Sequence, residues 1–135
     1  MIDTNKPTVE ASIGRDSYLT RINWNNGNIL ADEPRDKGGN GMHPDPFSLL
    51  AASLAACTLI TLRMYTDRKG WNINHINISV NVSQERNGTQ TETIFTKHME
   101  YEPEITSEQL QRLSIIASKC RVAKTLMGTI KLLTQ

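Results

Sequence analysis

Between Pro46 and Leu62 the chain reads P-F-S-L-L-A-A-S-L-A-A-C-T-L-I-T-L, without one charged side chain. A polypeptide holding such a run has few ways to fold. The run is too long for a typical strand, and its Leu and Ala favour a helix. Asp45 followed by Pro46 supplies an N-cap and a first-turn proline, so the helix is expected to start there. Arg63, Met64 and Tyr65 carry it on to about Lys69, where Gly70 stops it. A helix apolar on every side is expected to be buried on every side, which makes this the central helix, with Cys57 inside the fold. A membrane span is the competing reading. The run lies at the short end of bilayer length, several of its residues are Ala or Ser, and Arg63 follows at once. No second such run exists, and mean hydropathy is −0.42. A buried core helix, and no membrane partner, is the expectation.

The 135 residues suit a single domain, 1–135, with a modest core. Net charge is +1 with both signs interspersed, and no basic block exists, so nucleic acid is not an expected partner. The opening M-I-D-T-N-K-P-T lacks a charged-then-apolar signal pattern, which points to the cytoplasm. There, the two cysteines are more often free or redox-active than a structural bridge.

Taken in order, residues 8 to 33 read as β-structure. Val9, Ala11 and Ile13 alternate with polar neighbours, Gly14-Arg15-Asp16 breaks the run, and Asn25-Asn26-Gly27-Asn28 is a hairpin turn between Tyr18–Trp24 and Ile29–Ala31. The Gly-rich R-D-K-G-G-N-G-M-H is expected to be irregular. After the central helix, Ile76, Ile78, Val80 and Val82 alternate with polar residues as a half-buried strand, and beyond Asn87-Gly88 an antiparallel partner runs from Thr91 to Tyr101. Thr106 and Gln109 form a capping-box pattern, and Leu110, Leu113, Ile116, Ala117 and Cys120 make one helical stripe. A short helix or turn at Leu126-Met127 and a last strand from Thr129 to Leu133 close the chain. Elements in blocks indicate an α+β fold.

Two cysteines on two helices admit two readings. Free cysteine is commonly a small core hydrophobe. As a pair, one thiolate attacks an oxidant and the other resolves the sulfenic acid as a disulfide. His43, His75 and His98 are scattered without metal-ligand spacing, so no metal is expected. Met42, Phe47, Met64 and Met127 are candidates to line an apolar pocket, although methionine also fills gaps in cores. Trp24 and Trp71 read as packing residues, and Asp67-Arg68-Lys69 as a solvated helix end.

The stretch from Gly38 to Trp71 resembles the signature helix of the OsmC/Ohr proteins, and A-S-K-C-R-V-A-K-T-L is similar to that family's second motif. The resemblance covers nearly the whole chain. It implies an OsmC-like fold of antiparallel sheets around a long central helix and a second helix, in an intertwined homodimer. It also implies a thiol peroxidase that reduces organic hydroperoxides, with Cys57 peroxidatic and Cys120 resolving. The disulfide would be reduced by an external dithiol, a lipoyl-bearing protein in well-studied members, with no metal, haem or flavin. The family stabilises its thiolate with an arginine from the N-terminal β-region. Arg15 is the best match and Arg21 the second. The glutamate that holds this arginine is missing, because Phe47 and Ser48 stand in its place and Asp45 lies further up the chain. In the second motif Arg121 and Ala123 replace the usual Pro and His. These departures keep open a second reading, a dimeric binding or stress protein without turnover.

Overall fold

The computed structural model describes residues 6–135, in two compact units, Met1–Leu49 and Leu50–Gln135. The first holds three antiparallel strands, β1 (Glu10–Ile13), β2 (Thr20–Trp24) and β3 (Gly27–Ala31), in the order β1-β2-β3. Trp24 pairs with Gly27, so the predicted hairpin turn is tightened to Asn25-Asn26, with Gly27 and Asn28 already in β3. Trp24, expected as packing, is 46% exposed but lies across Gly27, where an added Cβ would come within 2.8 Å of its ring.

The Gly-rich segment is more ordered than its composition suggests. Arg35–Lys37 forms one 3-10 turn, and the buried carboxylate of Asp32 holds the loop on both of its oxygens. Oδ1 accepts from the Glu33 N–H at 2.8 Å and Oδ2 from the Asn40 N–H at 3.0 Å. A Cβ on Gly39 would sit 1.9 Å from the Glu33 carbonyl oxygen. Gly39→Ala is therefore expected to cost about 2 kcal/mol or more in urea unfolding; an unchanged midpoint would contradict this loop geometry.

The second unit is built on α1 (Pro46–Lys69), whose first turn closes the first unit. The helix starts and stops where the sequence predicts. The Asp45 carboxylate accepts from the Ser48 N–H at 2.8 Å, and hydrogen bonds from the Ser48 side chain and backbone hold it below its usual pKa. At the far end Gly70 takes φ +68°, with Trp71 N–H donating to Thr66 O and Gly70 N–H to Asp67 O. That is the Schellman ending, in which a left-handed glycine satisfies the last carbonyls. The long hairpin of β4 (His75–Asn87) and β5 (Gln90–Glu102) follows, turning at Gly88-Thr89. Then come α2 (Ser107–Ala117) and α3 (Arg121–Met127). The capping box is real: Gln109 N–H donates to Thr106 Oγ1, and Thr106 N–H to Gln109 Oε1.

The core gathers Leu62 and Tyr65 of α1, Ile73, and Leu113 and Ala117 of α2. Trp71, Ile76, Met99 and Tyr101 pack against it, with Tyr65 and Trp71 edge to face at 5.6 Å. Arg63 donates to the Ile73 carbonyl at 2.8 Å and so ties the helix to the turn that follows it.

Three expectations need correction. α1 is not buried on every side. It buries the face of Leu54, Thr58, Leu62, Tyr65 and Thr66, while Phe47, Leu50, Ile60 and Met64 are exposed. By length and composition it could cross a membrane, yet its buried line includes two threonines whose hydroxyls bond to the helix itself. One hairpin and two short helices have area to cover one side only. Second, Cys120 is not on α2. The helix ends at Ala117, and Cys120 is the N-cap of α3. Third, Thr129–Leu133 forms no strand: neither sheet pairs with it, and Leu132 and Leu133 are 91% and 81% exposed. A strand needs a partner's ladder, and alternation of side chains cannot supply one.

Candidate active site

Cys57 lies in the middle of α1 and is half-buried; Cys120 caps α3 at 1% exposure. The first turn of α3 joins them. Val122 N–H donates to Cys57 Sγ at 3.5 Å, and Ala123 N–H donates to Cys120 Sγ at 3.4 Å. Consecutive backbone amides therefore hold the two sulfurs, and both thiols are free. The separation in sequence that left their proximity open is closed by the α2–α3 junction folding onto α1.

A polar group backs Cys120 on the inner side. Thr58 Oγ1 is 3.6 Å from Cys120 Sγ and donates to the Leu54 carbonyl at 2.8 Å. Lys97 Nζ of β5 donates to Ala117 O at 2.9 Å and to Thr58 Oγ1 at 3.4 Å. Burial pushes the Cys120 thiol up, but it is outweighed: the Ala123 amide, the Thr58 hydroxyl, Cys57 and the Lys97 charge leave its pKa below the ordinary value. An open cleft of about 410 Å³ reaches Lys97 and Ala123 but neither sulfur, and is lined also by Leu54, Phe95, Leu126 and Met127.

The other residues singled out from sequence fall in both units. Arg15 lies in the exposed bend after β1, and Arg21 on β2 donates to Asn28 Oδ1 at 3.0 Å. Met42 is 71% exposed and Phe47 51%, both in the first unit. Met64 lines a separate hollow with Leu59, Ile60, Arg63 and Ile76. Ser48, one of the two residues standing where the resemblance implies a glutamate, completes the Asp45 cap. Arg121 opens α3 with an exposed side chain, and the residue at 123 serves through its backbone amide, which alanine offers as well as histidine. Among the described residues no His, Cys, Asp or Glu cluster could hold a metal ion.

Sequence reasoning missed Thr58 and Lys97. Thr58 stood in plain view beside Cys57. Lys97 carried a readable signal, since Phe95, Met99 and Tyr101 at alternate positions face inward opposite Val82, Ile78 and Ile76. Lys97, opposite Val80, is the lone charge in that row.

Comparison with known proteins addresses the fold and the family. No curated protein matches the sequence. Among solved structures, an OsmC-like protein from Mycoplasma pneumoniae superposes with a TM-score of 0.74 at 23% identity, covering 93% of this chain and 90% of that one. An organic hydroperoxide resistance protein from Elizabethkingia anophelis gives 0.69 at 20% identity, covering 96% and 94%. The organic hydroperoxide resistance protein OhrB of Bacillus subtilis gives 0.65 at 22%, covering 89% of each chain. At such identities the likeness is one of fold, an α+β OsmC-like fold. The sequence model of OsmC-like proteins matches residues 38–134, which takes in both cysteines and every element from α1 onward, and the chain belongs to that family.

Proposed function

We propose that the protein is a cytoplasmic, homodimeric thiol peroxidase that reduces organic hydroperoxides to alcohols. The observation that carries the reading is the pair of sulfurs on consecutive amides of one turn. A core cysteine packs against apolar neighbours; two thiols meeting at one backbone turn are arranged to react with each other.

Cys57 is the more accessible thiol and serves as the nucleophile. Its thiolate attacks the distal peroxide oxygen, the O–O bond breaks, and the alkoxide leaves and takes a proton to become the alcohol. The Cys120 thiolate then attacks the sulfenic sulfur, hydroxide departs as water after protonation, and a disulfide remains. An external dithiol supplies the two electrons that restore it. The cleft at Lys97 and Ala123, with Leu54, Phe95, Leu126 and Met127 on its wall, offers apolar surface for the organic part of the peroxide. The organic hydroperoxide resistance proteins among the structural relatives agree with this substrate class.

Intact mass after one equivalent of cumene hydroperoxide is the test. Loss of two hydrogens is expected for the wild type, and a trapped sulfenate for Cys120→Ser. Thiols left unmodified would end the peroxidase reading.

The homodimer is supported by α1. Leu50, Ile60 and Met64 form an exposed apolar stripe along one side of Cys57, bordered by the small residues Ala52, Ser53 and Ala56. A second copy of α1 laid along this stripe would give the helix the cover that its own chain withholds. Sedimentation equilibrium should return a dimer, and Ile60→Glu with Met64→Glu should shift it to monomer. A wild-type monomer at micromolar concentration would refute this.

The absence of the family glutamate at Phe47-Ser48 favours a second reading, a binding or stress protein without turnover. Iodoacetamide alkylation of Cys57 against pH separates the two. Half-maximal reaction well below the ~8.5 of a free thiol supports the peroxidase, and an unreactive Cys57 supports the binding protein.

A further inference from the structure

We propose that Lys97 is a positioning residue of the thiol pair: acting through the Thr58 hydroxyl, it makes Cys120 the thiolate expelled when an external dithiol attacks the disulfide at Cys57. This rests on the thiol-peroxidase reading above and names a charge for it from inside the second unit.

The geometry begins with a lysine in the wrong row. Lys97 sits on the inward face of β5, and its ammonium is anchored by the Ala117 carbonyl at the end of α2. Anchored there, it reaches Thr58 Oγ1. The threonine has one proton to give. While Cys120 is a thiol, that proton goes to the Leu54 carbonyl, and the S–H of Cys120 can donate to Oγ1. When Cys120 loses its proton, the hydroxyl must turn toward the sulfur, since a thiolate accepts and cannot donate. The lysine stays on the oxygen's lone pair throughout and polarises the O–H toward the developing charge. The groups facing Cys120 are thus Cys57 and Thr58 of α1, Lys97 of β5 and the Ala123 amide of α3. Its chain neighbours Lys119 and Arg121 point to solvent.

Access decides the direction of attack. Cys120 is covered and Cys57 only partly so, which leaves the Cys57 sulfur as the one a reductant reaches. The dithiol's thiolate forms a bond to Cys57 Sγ, the Cys57–Cys120 bond breaks, and its electron pair leaves on Cys120 Sγ. The second thiol of the reductant, once deprotonated, closes on the first and releases Cys57 as thiolate. A thiol of lower pKa leaves faster, and the Lys97–Thr58 pair is built around the sulfur that leaves.

The test follows the Cβ resonances of both cysteines against pH in reduced protein carrying isotope-labelled cysteine, which needs neither peroxide nor reagent access. Lys97→Met, which keeps the apolar stem, should raise the Cys120 midpoint by about one pH unit, and Lys97→Arg should restore most of it. With the disulfide preformed by diamide, dithiothreitol should reduce Lys97→Met about threefold more slowly than wild type. Thr58→Val removes the relay while leaving the lysine and carries the same expectation, so it serves if Lys97→Met does not fold. A Cys120 midpoint unmoved by these substitutions overturns the proposal. Unoxidised thiols in the hydroperoxide experiment would instead overturn the reading beneath it, and leave the titration standing.

Discussion

Cys57→Ser is expected to lower hydroperoxide consumption by about a thousandfold or more, because a serine hydroxyl is not ionised near neutrality and has no redox chemistry to offer. Cys120→Ser should behave differently. Its first turnover should run near the wild-type rate and then stall, with the sulfenate unresolved until an external thiol reaches it. Single-turnover consumption of cumene hydroperoxide, followed by intact mass, distinguishes the two. Their order matters because the structure lowers the pKa of Cys120, the covered thiol of the pair. Were Cys120 the thiol that the peroxide oxidises, Cys120→Ser would abolish the first turnover. Exposure argues for Cys57, since a peroxide must reach the sulfur that it oxidises.

The largest effect on stability should come from Leu62→Ala. Leu62 is fully buried at the centre of the core, between Tyr65, Ile73, Leu113 and Ala117, and the neighbours are too tightly tied to close the space. The expected loss is about 3 kcal/mol in urea unfolding. Met64→Ala, on the same helix but 68% exposed, is the control. It should cost the single chain about 0.5 kcal/mol or less. Any further loss should depend on protein concentration, as expected where a second copy covers the side chain. An equal, concentration-independent loss in both variants would contradict the one-sided burial of α1.

The elements that sequence predicted well are those whose signals are local. Asp45-Pro46 and Gly70 mark α1 because a cap and a left-handed glycine act within one turn. Asn25-Asn26 and the Thr106/Gln109 box work the same way. The errors concern what lies alongside. Apolarity on all sides of α1 says that the helix needs cover, and cannot say whether its own chain provides it. The three-four spacing from Leu113 to Cys120 runs straight across the end of α2, since Ser118-Lys119 carries neither Gly nor Pro to announce the break. Thr129–Leu133 has strand composition, but neither sheet pairs with it. At the site, the thiols were legible as residue types, while their meeting at Val122 and Ala123 depends on a helix junction that no spacing encodes. Lys97 was legible and passed over. The parity that made Ile76 to Val82 a half-buried strand also puts a charge on the apolar face of its partner.

That parity has a consequence for how freely the hairpin can vary. From His75 to Val82 every second side chain of β4 is at least half-buried, whereas from Ser83 around the turn to Thr93 both faces are exposed. A slip of one residue in the inner half would turn Lys97 to solvent and present His98 or Thr96 to Thr58 instead. The outer half has no buried face to lose. Insertions and deletions near Gly88 can be absorbed there, provided that the inner ladder keeps count. The hairpin is thus a ruler with a fixed end and a free end, and the thiols are read from the fixed one.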